Sequence, residues 1–255
     1  MKRVLLLALL AACLILVSSC DKRDDDNGLP TSLEIILEPK EDFYLIVSYD
    51  NDSPFGDTYM YIDVMADKKL LSLRLNETLV PLDGFIYTDH TGYYHYYMDT
   101  FFLDGALIGD YDEELIYKMV FEDRTVTGTI LMPSEYQMDT PIFDPQADLV
   151  VTWTLSHSPM IQHIGYVFSD YENSVQFSYE LKGSVRTHTL EHEKWDDMGM
   201  DRLDYLCLFA SNYKRYNGGL VIAEVSKELE YGKSNPNPTL KREQRLKRIL
   251  STDWK

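Results

Sequence analysis

Chemistry in this chain would have to come from six histidines, three cysteines and 42 acids. His188 and His192 are four apart, with Glu191 and Glu193 beside them. That spacing aligns metal ligands on a helix. Thr187-His188-Thr189-Leu190 alternates as a strand does, however, and no H-E-x-x-H occurs. Asp50-Asn51-Asp52 opens like a calcium loop, but an EF-hand begun at Asp50 needs Gly where Phe55 stands and Glu where Tyr61 stands. Asp110-Tyr111-Asp112-Glu113-Glu114 departs from that template too. No metal and no cofactor is expected, although neither loop excludes calcium held in another geometry. There is no G-x-S-x-G, no G-x-x-x-x-G-K-[ST] and no G-x-G-x-x-G, so no catalytic residue is assigned. Carboxylate pairs say nothing about hydrolysis in so acidic a chain. Cys207, in Tyr205-Leu206-Cys207-Leu208-Phe209, reads as a small buried hydrophobe.

One stretch has the composition of a binding surface. Residues 85–121 hold seven tyrosines and four phenylalanines among acids, centred on Tyr93-Tyr94-His95-Tyr96-Tyr97. On a strand, Tyr93, His95 and Tyr97 share one face, and Tyr94, Tyr96 and Met98 the other. One face should enter the core. The other, with Tyr93, His95 and Tyr97, would expose aromatic faces beside carboxylates, which suits a sugar or a protein ligand. The structural alternative is a strand whose tyrosines cover sheet edges and bond through their hydroxyls.

The elements that must position these residues are strands. Period-two alternation dominates from Leu33 onward. In Thr125–Ile130 the threonines take one face and Val126, Gly128 and Ile130 the other; in Leu71–Leu75 the leucines all face one way. Phe43–Tyr49 and Thr58–Ala66 are rich in β-branched and aromatic residues, and turn signals such as Asp83-Gly84, Thr91-Gly92 and Asp104-Gly105 punctuate the runs. Strands recur every 8 to 14 residues with no long helical pattern between them, which favours antiparallel sandwiches over βαβ units. Leu203–Ser211 also fits a helical face; a strand is the reading adopted.

The N-terminus supplies an address. Lys2 and Arg3 precede Val4–Val17, fourteen apolar residues without a charge, and then Ser18-Ser19-Cys20. The run is too short for a good membrane-spanning helix, which needs about 20 residues, and suits a signal peptide. Leu16–Cys20 resembles the lipobox of bacterial lipoproteins. That resemblance implies cleavage before Cys20, lipidation of Cys20 and attachment to a membrane through acyl chains. Asp21 resembles an inner-membrane retention signal, and Asp24-Asp25-Asp26 a surface-export signal; the outer membrane, facing outward, is the expected location.

Three prolines between Pro133 and Pro145 read as a linker, because proline lacks the amide donor a central strand needs. Beyond it, Leu149, Val151 and Trp153 share a face, Thr152 and Thr154 the other, and Ser158-Pro159 makes a turn. This segment resembles the B strand of a fibronectin type III domain and implies a sandwich of about 90 residues. The expected chain is therefore all-β: signal peptide 1–19, acidic tether 20–31, an N-terminal sandwich 32–132, linker 133–145, a fibronectin III-like sandwich 146–234 and a basic tail 235–255, with two tandem antiparallel immunoglobulin- or fibronectin III-like β-sandwiches in all.

Charge narrows the partners. The formal net charge of −18 drops to near −20 once Lys2 and Arg3 leave, which disfavours nucleic acid. The tail opposes this: Lys241, Arg242, Arg245, Lys247, Arg248 and Lys255 face only Glu243 and Asp253. It reads as a frayed end or as a docking arm for an acidic surface, the protein's own included. With Cys13 removed and Cys20 lipidated, Cys207 is left without an intrachain disulfide partner. The resulting expectation is a lipid-anchored, non-catalytic binding or scaffolding protein. A carbohydrate-binding or adhesin-like module using the Tyr-rich strand, and a hydrolase with its site built from distant acids, are the alternatives.

Overall fold

The computed structural model describes residues 41–50, 59–82, 85–88, 92–99, 108–170, 174–216, 218–231 and 248–249. Cys20, the tether, Asn51 and Asp52 lie outside them, as does most of the basic tail. No helix among the described residues is long and apolar enough to cross a membrane.

The described chain is built of strands, as the alternation predicts. In order they are β1 (Phe43–Asp50), β2 (Tyr59–Ala66), β3 (Leu70–Leu75), β4 (Thr78–Val80), β5 (Phe85–Thr88), β6 (Tyr94–Asp99), β7 (Glu114–Phe121), β8 (Thr125–Leu131), β9 (Leu149–Thr152), β10 (Ile161–Ser169), β11 (Ser174–Lys182), β12 (Thr187–Leu190), β13 (Arg202–Tyr216) and β14 (Gly219–Glu230). One short helix, α1 (Glu193–Asp196), separates β12 from β13. Leu203–Ser211 is strand, and its inward Leu203, Leu206, Leu208 and Ala210 are buried.

The two tandem sandwiches expected on either side of residues 133–145 are not how these strands pair. Eight of them form one sheet in the order β11-β10-β13-β14-β1-β2-β6-β5. β1, β2, β5 and β6 come from the N-terminal half, and β10, β11, β13 and β14 from the C-terminal half. The seam is β1 on β14, a parallel pair in register from Phe43↔Gly219 to Asp50↔Ser226. At its start a Cβ on Gly219 would run into the Phe43 ring, so the close approach of the two strands requires glycine there. β1, paired on both sides, is buried along its whole length, which accounts for its continuous run of large residues from Phe43 to Val47.

Two smaller sheets share one face of this large sheet, called the near face below. β4-β3-β7-β8 covers the N-terminal half: Phe121 packs on Phe43 with ring centroids 5.7 Å apart, and the Tyr96 hydroxyl accepts from the Leu70 amide at 2.9 Å. The pair β12-β9, with α1, covers the C-terminal half: Trp195 stacks on Phe168 at 4.8 Å and the Tyr166 hydroxyl lies 2.7 Å from His188 Nδ1. Each half thus looks like a sandwich in sequence, while the sheet beneath them is continuous. Apolar residues from both halves form one core.

The expected linker is packed into that core. Ser134 and Tyr136 are buried, and Phe143 lies against Phe168 and Trp195. Proline does keep the segment out of the ladders, and Gln137 makes an isolated antiparallel bridge with Thr154. Tyr136 is buried nonetheless and Met138 and Phe143 pack against the core, while Ile142 stands 93% exposed. Gln162 on β10, fully buried, secures the segment: its Oε1 accepts from Tyr136 (3.1 Å) and Trp153 (2.9 Å), and its Nε2 donates to the carbonyls of Lys182, Gly183 and Val185. A buried amide with its capacity filled in this way holds three chain segments in register.

Leu71 departs from expectation. Alternation puts it on one face with Leu73 and Leu75, but the β3–β7 register shifts between Leu70 and Ser72. The bulge turns Leu71 out, 53% exposed, while Leu73 is fully buried.

Candidate functional site

The Tyr-rich strand divides its faces as alternation requires. On β6, Tyr96 and Met98 enter the near-face core, beside Val64 and Ile62 of β2. His95 and Tyr97 point to the opposite, far face, opposite Met65 and Asp63. There they do not make an exposed aromatic row with Tyr93. His95 is buried, the Tyr93 hydroxyl donates to the Glu41 carbonyl at 2.8 Å, and Tyr97 is half-buried and stacked on Tyr61 at 6.1 Å. β6 is paired on both sides, by β2 and β5, so it is not an edge strand.

The histidine pair is not brought together as ligands. His188 sits on β12 against Tyr166 and Tyr179, and burial lowers its pKa. His192 precedes α1; its backbone amide donates to Asp148 at 2.9 Å, and this bond with the imidazole contact lowers the Asp148 pKa. Asp112, left-handed at φ 61°, accepts from Ser134 Oγ and lies 2.9 Å from His157 Nδ1. Asp50 accepts from Ser226 Oγ at 2.9 Å. Among the described residues no group of three or more His, Cys, Asp or Glu side chains is arranged to hold a metal.

The far face of the large sheet holds the cluster that sequence reading missed. Buried there are Ser48 and Asp50 of β1, Asp63 of β2, His163 of β10, Cys207 and Ser211 of β13, and Glu224, Ser226 and Glu228 of β14. Strand pairing sets them side by side: Ser211↔Glu224, Phe209↔Ser226 and Cys207↔Glu228 across β13–β14, and His163↔Phe209 across β10–β13. Alternation places Glu224 and Glu228 on one face of the strand, which by itself does not say whether that face is buried. The available signal was the basic tail, whose charge opposes that of the rest of the chain.

Among the described tail residues, Arg248 meets this face. Its side chain is 11% exposed; the guanidinium pairs with the fully buried Glu224 carboxylate, lies 4.3 Å over the Phe209 ring and donates to His163 Nδ1 at 3.2 Å. Ser211 Oγ donates to the same carboxylate at 3.1 Å. Beside it Ile249 is fully buried. Burial, and then the Arg248 charge, push the His163 pKa down to about 3. The ring is therefore neutral at pH 7, with Nδ1 accepting, and its 3.9 Å approach to Glu180 is not an ion pair. Cys207 donates to the Gly165 carbonyl at 3.7 Å; burial, reinforced by Glu228, raises its thiol pKa and keeps it protonated. A cavity of about 60 Å³ lies next to the guanidinium, among His163, Tyr205, Cys207 and Glu228. The arrangement binds a cation. The protonated thiol and the ion-paired Glu224 are not activated nucleophiles.

Comparison with protein-family models and with curated proteins finds no match to this chain.

Proposed function

We propose that this is a lipid-anchored envelope protein, held by acyl chains on Cys20 in the outer membrane, with a non-catalytic binding or scaffolding role. One observation carries the reading: the charge-free run Val4–Val17, after Lys2 and Arg3, ends in Ser18-Ser19-Cys20 and gives way at once to an acidic tether. Two acyl chains make a stable anchor where one is marginal. The fold does not by itself assign an activity. The engagement of Asp50 by Ser226 and of Glu224 by Arg248 supports a structural use of the buried acids over a hydrolytic one. Metabolic labelling with a radioactive fatty acid, followed by membrane fractionation, tests the anchor. The parent should take up label and sediment with membranes; Cys20→Ala should do neither and should accumulate unprocessed. Normal processing and fractionation of Cys20→Ala would sink the reading.

A second reading keeps a ligand at the Tyr-rich strand, because Tyr97 and Tyr61 present stacked, half-buried rings at an interplanar angle of 19°. Such rings suit a sugar or a protein side chain. Glycan-array binding that survives Tyr97→Ala unchanged would dispose of it.

A further inference from the structure

A carboxylate at the centre of a sheet is costly to bury unless a cation reaches it. Glu224 is in that position: β14 lies between β13 and β1, and the carboxylate is fully buried. The cation comes from Arg248, and sixteen residues of sequence separate it from Tyr231, just past the end of β14. Three adjacent strands supply what a guanidinium recognises. β14 gives the carboxylate of Glu224, β13 the face of Phe209 and the carboxylate-orienting Ser211, and β10 the acceptor nitrogen of neutral His163. A planar guanidinium can use charge, ring face and acceptor at once; an ammonium is a point charge and matches them less well. Ile249 is buried next to it, so the contact is a two-residue anchor and not a lone charge.

We propose that the far face of the central sheet is a receptor for an arginine-bearing peptide and that its resident ligand, bound in cis, is the chain's own basic C-terminal segment, seated through Arg248 and Ile249. The charge pattern of the chain fits this assignment. The tail is basic where all that precedes it is strongly acidic, and the acids Asp50, Asp63, Glu224 and Glu228 are gathered on the face that Arg248 enters. Tethering keeps the tail at an effective concentration on the order of millimolar, so a ligand in trans competes poorly until the tail is displaced. The cavity beside the guanidinium leaves room on the same surface. The proposal is independent of the anchor at Cys20.

Two measurements test it. In limited tryptic digestion of the chain from Cys20 to Lys255, the bond after Arg248 should be cut roughly tenfold or more slowly than that after Arg242, since cleavage tracks release of the segment. Glu224→Gln should abolish the difference. Equal rates at the two bonds in the parent would overturn the proposal. Protection that disappears on dilution would overturn the cis assignment and make the occupant a second copy. The other measurement is fluorescence anisotropy with a labelled peptide of residues 241–255. It should bind Arg248→Ala, once shown by cooperative melting to be folded, saturably and at least about tenfold more tightly than it binds the parent, whose site is filled. The same peptide carrying Lys at position 248 should bind roughly tenfold more weakly than the native peptide. Equal binding to parent and variant, or indifference to that lysine, would reduce the contact to general charge attraction and overturn the proposal. If Arg248→Ala does not fold, the digestion of parent and Glu224→Gln decides alone.

Discussion

On the near face of the central sheet Leu45, Val47, Ile62, Val64, Ala223 and Val225 are buried against apolar neighbours; on the far face Ser48, Asp63, Glu224 and Ser226, from the same three strands, are buried as well. The first face needs only apolar surface of about the right volume. The second needs named partners: Ser211 and Arg248 for Glu224, Asp50 for Ser226. Burial alone therefore does not distinguish the two. Apolar burial stabilises without regard to geometry, whereas polar burial stabilises only when a particular residue arrives, here one from the far end of the chain. The near face should carry most of the stability, and the far face should decide what sits on it.

The largest effect expected is on the near face. Trp153 is buried and donates to the Gln162 hub, so Trp153→Ala should lower unfolding free energy by about 3–5 kcal/mol in urea denaturation. A loss under about 1 kcal/mol would break the comparison at its stronger side. Next comes the far-face pair. Arg248→Met leaves the Glu224 carboxylate buried without its guanidinium and should cost about 3 kcal/mol, whereas adding Glu224→Leu should restore stability to near the parent. A double variant no more stable than the single one would show that the pair is not what the far face depends on.

Acid sharpens the contrast. The folded His163 pKa of about 3 lies below its unfolded value near 6.5, and that of His188 is lowered too. The unfolded state therefore binds the extra proton, so stability is full above about pH 6.5 and falls as the pH drops towards 3. The slope is at most roughly 1.4 kcal/mol per pH unit for each proton. Chemical denaturation between pH 7 and 5 should show this fall, and His163→Gln should flatten it; an unchanged slope would mean the ring is not buried neutral against Arg248. The smallest effect belongs to the bulge in β3. Leu71→Ala should stay within about 0.5 kcal/mol, while Leu73→Ala, one pleat inward, should cost 2 kcal/mol or more. Equal losses would restore the unbroken leucine face that the bulge interrupts.

Alternation of side chains is a property of a few consecutive residues, and the sequence determined whatever depends on it. The strand at 43–50, the inward Trp153, the division of Tyr94, Tyr96 and Met98 from His95 and Tyr97, and the choice of strand over helix at Leu203–Ser211 were all legible. The address expected from Leu16–Cys20 also rests on adjacent residues, and it lies outside the described ones. Pairing is not local. That β1 joins β14 as well as β2 of its own half, that 133–145 packs against a shared core, and that Glu224 of β14 faces Arg248 and not water follow from contacts between residues up to about 180 positions apart. The Asn217-Gly218 dipeptide between β13 and β14, with Gly218 at φ 81°, was a hairpin signal within reach of local reading. The parallel seam has no such signal, because either half offers β1 the same alternating pattern. Only the packing of both halves against one core makes the seam the arrangement that buries both faces of β1.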